Sequence, residues 1–147
     1  MKVSQGRIGR VFMMRLEDGE AVPACIEQFA EQNGVSSGYV ILIGGIGDGN
    51  IVVGPRRSDE MPPDPMLLPV DGVHEVLGVG ILAPDKGGKC TIHIHAALGR
   101  AGRTMAGCLR PGVTTWLVGE AVLYEILDAD MVRVKDKKSG LMLLDKQ

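Results

Sequence analysis

The stretch Thr91-Ile92-His93-Ile94-His95-Ala96-Ala97-Leu98 decides how this chain is read. Its polar and apolar residues alternate, which is the period of a strand whose residues two apart share a face. Ile92 and Ile94 then face one way, and His93 and His95 project side by side the other way. Two adjacent neutral imidazoles are half of a transition-metal coordination set. The plainer alternative is a pair of structural histidines, one hydrogen-bonded in the core and one at the surface. The chain has one other histidine, His74.

Outward from that strand the chain keeps the same grammar. Asp85-Lys86-Gly87-Gly88 reads as the turn before it, with His74 to Ala83 as the preceding strand. Gly99-Arg100-Ala101-Gly102 reads as the turn after it, leading into a strand from Arg103 to Leu109 that Arg110-Pro111-Gly112 closes. Val113 to Ile126 is long and apolar, and its threonine, tryptophan and valine content favours strand over helix. Met131 to Lys135 and Leu141 to Leu144 read as a last hairpin across Asp136 to Gly140.

Toward the N-terminus, Arg7 to Leu16 reads as a strand and Asp18-Gly19-Glu20 as a turn and helix cap. Val22, Ile26, Phe29 and Ala30 recur at helical spacing, Pro23 sits in the first turn, and Asn33-Gly34 ends the helix. Ser37 to Ile43 is a strand that runs into Gly44-Gly45-Ile46-Gly47-Asp48-Gly49, and short strands follow at Asn50 to Gly54 and around Met66 to Pro69, separated by a proline-rich loop. One helix among about eight strands predicts an α+β domain on a largely antiparallel sheet. No repeat or linker divides residues 1–147, so a single domain is expected.

Composition narrows the function classes. The net charge of −2 supplies no global basic field for DNA, and five aromatic residues are too few for a stacking platform on single strands. No apolar run approaches the roughly 20 residues of a membrane span. Cys25, Cys90 and Cys108 are odd in number and widely spaced, which predicts free thiols and a cytoplasmic location rather than a disulfide framework. The glycine run lacks the third glycine of a dinucleotide fingerprint, where Asn50 stands, and precedes a strand rather than a helix. A tight turn or bulge is the expected use of those glycines.

A tight hairpin at Gly99 to Gly102 would place Cys108 opposite residue 94 or 95. One of those two registers gathers His93, His95 and Cys108 on one face, a ligand set suited to zinc. His74 would lie five residues beyond His95 along the neighbouring strand, roughly 16 Å away, so within one subunit it is at most a lower-ranked ligand. Arg100 and Arg110 flank this strand pair and are candidates to hold a small anionic ligand. Glu120, a carboxylate inside an apolar strand, is a candidate proton carrier.

Three stretches then resemble a known family, the PPC (plants and prokaryotes conserved) domain. They are Arg10 to Glu20 with the helix through Phe29-Ala30; Ser37 to Gly47; and His74 to Leu82 with His93 to Leu98 and Gly107-Cys108-Leu109. The resemblance implies an α+β homotrimer with a metal or ligand site at the His-x-His strand. The family pattern has Gly-Gly-His-Leu where this chain reads Ala106-Gly107-Cys108-Leu109, so a thiol occupies the third-histidine position. The AT-hook that accompanies the domain in plants is absent, and Gly54-Pro55-Arg56-Arg57 does not supply it. The leading expectation is therefore a zinc-binding homotrimer with a small anionic ligand. The alternatives are a non-enzymatic module in DNA-associated regulation, or histidines that serve the trimer interface.

Overall fold

The computed structural model describes residues 1–146. In chain order the elements are β1 (Arg7–Glu17), β2 (Ala21–Val22), α1 (Ala24–Gln32), β3 (Gly38–Asp48), β4 (Asn50–Pro55), β5 (Pro65–Pro69), β6 (His74–Pro84), β7 (Cys90–Arg100), β8 (Arg103–Leu109), β9 (Val113–Leu127), β10 (Met131–Lys135) and β11 (Met142–Lys146). The main sheet runs β1-β9-β3-β6-β7-β8-β4-β5, with β2 attached to β9, and β10-β11 forms a separate hairpin. Its strand pairs are antiparallel. The α+β expectation holds.

Alternation builds the two faces of this sheet. On β6, His74, Val76, Gly78, Gly80 and Leu82 turn inward while Glu75, Leu77, Val79 and Ile81 are exposed. On β7, Ile92, Ile94, Ala96 and Leu98 are buried and His93 and His95 are exposed. Helix α1 covers the inward face only. Its Ile26 and Ala30, one turn apart, are fully buried in a core shared with Val40, Leu42, Leu98 and Leu123. The opposite face is left open with large apolar side chains on it, including Met13, Ile43, Leu77, Val79 and Ile81.

The structure moves two local features. The helix starts at Ala24, two residues later than its apolar spacing suggests, because Ala21 and Val22 pair with Thr114 and Val113 as β2. Pro23 provides the cap position, with no side-chain cap from the Asp18 turn. At the other end Asn33 donates its side-chain N–H to Phe29 O (2.9 Å), and Gly34 takes the left-handed conformation (φ 65°) that stops the helix.

The glycine run continues β3 rather than turning. Register against β9 slips between Gly44 and Ile46 and again between Ile46 and Asp48. A Cβ on Gly45 would stand 2.5 Å from Trp116 O, and one on Gly44 the same distance from Val118 O. The glycines therefore admit a bulged β9 backbone at close range, which is the bulge half of the expectation.

One buried carboxylate ties the strands at the far end. Glu125, on the inward face of β9, accepts hydrogen bonds from Arg10 N (3.0 Å), Nε (2.8 Å) and Nη2 (2.6 Å). Those side-chain and backbone donors hold its pKa down to about 2. Among the described residues, no helix is long and apolar enough to cross a membrane.

Candidate metal centre

The site grows from one row of residues on the open face. Antiparallel register aligns Met13, Val122, Ile41, Val79, His95 and Cys108 across six adjacent strands. His95 and Cys108 are direct partners across β7 and β8, so of the two registers open from the sequence, the one that gathers the trio is realised. His93 lies two residues back on the same face. The ligand atoms of His93, His95 and Cys108 all lie within 4.8 Å of one another.

The imidazoles are set for chelation. Nε2 of His93 and Nε2 of His95 are 3.1 Å apart, with the rings nearly perpendicular at 82°. A tetrahedral ion with metal–nitrogen bonds of about 2.0–2.1 Å sets its nitrogens about 3.3 Å apart, so the pair already has the required bite. The same geometry places a thiolate sulfur about 3.6 Å from each nitrogen, and the Cys108 sulfur lies within 4.8 Å of both. Without an ion, one Nε2–H must donate to the other Nε2, which requires at least one neutral ring.

Electrostatics favours the neutral ligand form at His93. Partial burial first, then His95, Arg133 and Arg110, push its pKa below the usual imidazole value. A neutral imidazole is the species that ligates. All three cysteines are free, so the Cys108 thiol is available.

The other candidates scatter. His74 is buried on the inward face, where its Nδ1–H donates to Gly72 O (2.8 Å); β7 pairing sets it one residue past the Glu75–Gly99 pair, well away from His95. Arg100 donates Nη1 to Val73 O (2.7 Å) and its guanidinium packs against Gly72, so it braces the turn before β6. Arg110 follows β8, two residues beyond the His95–Cys108 pair that ends the β7–β8 ladder. Glu120 is exposed on the open face and pairs with Arg15 and Ile43, three strands from β7, or about 14 Å at strand spacing.

One residue escaped the sequence reading. Arg133 on β10 is only 5% exposed. Its local signal is faint, a single arginine within Met131-Val132-Arg133-Val134-Lys135, and an arginine on a short strand is ordinarily solvated.

Comparison with known proteins agrees with this architecture. The model of the Plants and Prokaryotes Conserved (PCC) domain family matches residues 3–127. A metal-containing protein from Archaeoglobus fulgidus superposes with a TM-score of 0.84 at 24% identity, covering 97% of this chain and 98% of that one. A plant- and prokaryote-conserved (PPC) protein from Pyrococcus horikoshii superposes with a TM-score of 0.84 at 22% identity, covering 100% and 99%. At such identities the likeness is one of fold. The bifunctional protein GlmU of Synechococcus sp. (strain JA-3-3Ab) is 28% identical over 138 residues, which is 92% of this chain but 20% of that protein's length.

Proposed function

The chain belongs to the Plants and Prokaryotes Conserved (PCC) domain family, and within that family we propose that it binds a divalent metal, zinc, through His93, His95 and Cys108, with a small anionic ligand beside it. The observation that carries this reading is the convergence of three nitrogen and sulfur donors on one exposed sheet face. A metal-containing structural relative supports it. Two nitrogens and one sulfur suit zinc, and three protein ligands leave a coordination position open.

A bound divalent ion supplies Lewis-acid polarisation of a ligand oxygen. The chain's own residues supply the rest. His93 and His95 present ring nitrogens, Cys108 presents its sulfur, and Arg110, two residues beyond the His95–Cys108 pair, would attract negative charge. Glu120 is too far away to move a proton at this centre within one chain, so any such role needs a boundary between copies.

Self-association is part of the proposal. Leu77 (61% exposed), Val79 (56%) and Ile81 (47%) form an apolar strip beside the histidines. A homotrimer would bury this face and shield the site from water. Three unpaired cysteines fit a reducing, cytoplasmic compartment.

Metal analysis of protein purified without a histidine tag tests the core of the reading. One equivalent of zinc per chain is expected, together with its loss in a His93→Ala/His95→Ala protein. A metal-free parent that takes up no zinc on titration would refute the site. Sedimentation equilibrium at three times the chain mass is expected for the trimer.

A further inference from the structure

Arg133 is an anomaly that the metal reading leaves unexplained. A guanidinium stays charged at any physiological pH, and burying one without a counter-charge is costly. Yet Arg133 forms no ion pair among the described residues. Among the described residues, its guanidinium has one hydrogen-bond partner, Ile81 O, which accepts from Nη2 at 2.9 Å. Asp85 bridges to Arg133 through the backbone, but its carboxylate accepts from the N–H groups of Gly87 (2.8 Å) and Lys89 (3.0 Å). The remaining guanidinium donors are not sealed away, since Thr115 Oγ1 is the one enclosed side-chain polar atom without a partner among the described residues. Among the described residues, Arg133 is thus a buried cation with guanidinium donors to spare.

The bonded donor locates the guanidinium. Ile81, which holds Nη2, is the cross-strand partner of His93. Arg110 follows β8, two residues beyond the His95–Cys108 pair. The two arginines come from different segments, Arg133 from the hairpin β10-β11 and Arg110 from the turn after β8.

We infer that Arg133 and Arg110 form an oxyanion subsite beside His93, which takes the carboxylate or phosphate group of the bound ligand through the planar guanidinium fork of Arg133. The subsite rests on the proposed anion-binding role of the His93/His95/Cys108 face and names the residue that selects the ligand there. Arg133 lies on the hairpin β10-β11, outside the family-matched residues 3–127. A fork matches an oxyanion in two parallel hydrogen bonds, which an ammonium cannot do.

Calorimetric titration of the cobalt-loaded and the metal-free protein with inorganic phosphate and, separately, with succinate tests the subsite. Saturable binding of at least one is expected, and the tighter of the two names the source of the oxyanion. Arg133→Met is expected to weaken that binding by about tenfold or more, while cobalt uptake stays at the parent level. Arg133→Lys is expected to recover only part of the loss. Lys135→Met, on the exposed end of the same strand, is expected to bind as the parent does.

Saturation by neither anion, parent-like affinity in Arg133→Met, or an equal loss in Lys135→Met would overturn the inference. Should Arg133→Met not fold, Arg110→Met decides, and unchanged affinity there refutes the paired subsite. A protein that takes up no cobalt yet binds phosphate in an Arg133-dependent way supports the subsite and removes the metal reading. Normal cobalt uptake without any anion response removes the subsite alone.

Discussion

Cys108 stands directly opposite His95 across the β7–β8 ladder, with His93 two residues along on the same face. The pairing turns a bare His-x-His into a three-donor set. Loss of partners that merely orient a metal ligand costs roughly 10–100-fold in affinity, and removal of a direct ligand is expected to exceed that range. Cys108→Ser is therefore expected to weaken cobalt binding more than 100-fold and to abolish the near-ultraviolet thiolate-to-cobalt absorption. Cys108→His is expected to retain the ion without that absorption. An undiminished absorption band in Cys108→Ser would remove Cys108 from the site.

Gly107 sets the position of Cys108. A Cβ added there would collide with the backbone carbonyl of Val52 on β4. Backbone cannot yield as a flexible side chain does, so Gly107→Ala must push β8 away from β4. A loss of about 1–3 kcal/mol in chemical denaturation is expected, accompanied by weaker cobalt binding. Gly102→Ala, which meets nothing within 4 Å but has φ 76°, is expected to cost stability alone.

His74 serves the fold. A carbonyl can only accept, so the contact with Gly72 O fixes the proton on Nδ1, and the ring is buried on the face away from the candidate metal centre. His74→Ala is expected to destabilise the protein by about 1–3 kcal/mol through the lost hydrogen bond and the space left behind. Zinc content per folded chain is expected to match the parent. A drop in stoichiometry would bring His74 into the site across a subunit boundary.

Acid stability hinges on Glu125. Its folded pKa of about 2 lies well below the unfolded value, so its stabilisation is complete above the ordinary carboxylate pKa of about 4.3 and is lost as pH falls toward 2. Arg10 is half exposed and regains water when the pair breaks, which limits the gain. Glu125→Gln is expected to be about 1–2 kcal/mol less stable at pH 7. Its stability is also expected to vary less than the parent's between pH 5 and pH 2 in urea melts (about the span between the two pKa values). Parallel curves for the two proteins would refute this role.

The open face has its own test. Val79 is 56% exposed and is the cross-strand partner of His95. Val79→Lys keeps the strand but sets a charge in the apolar strip. The proposed trimer is expected to dissociate to monomer in sedimentation, with little change in far-ultraviolet circular dichroism. A trimer that survives this change would place the interface elsewhere.

Much of this molecule is local and therefore visible in the residues. The alternation of Thr91 to Leu98 marked a strand with both histidines on one side, and the spacing of Ile26 and Ala30 marked the helix that covers the other side. The tight turn expected within Gly99 to Gly102, which the structure places at Ala101-Gly102, left two possible placements for Cys108, because turn length limits register. The choice between them is not local. A slip of one residue reverses every side chain, and what prevents the slip is packing along β8, where Gly107 meets the Val52 carbonyl of β4.

Burial of charge is likewise decided between distant segments. Arg100 and Arg133 look alike as isolated arginines, yet one braces the Val73 carbonyl and the other is enclosed near His93 with donors to spare. Alternating residues dictate which side chains share a face. Long-range pairing dictates which faces, strands and charges meet, because those contacts arise only when segments far apart in the chain are packed together.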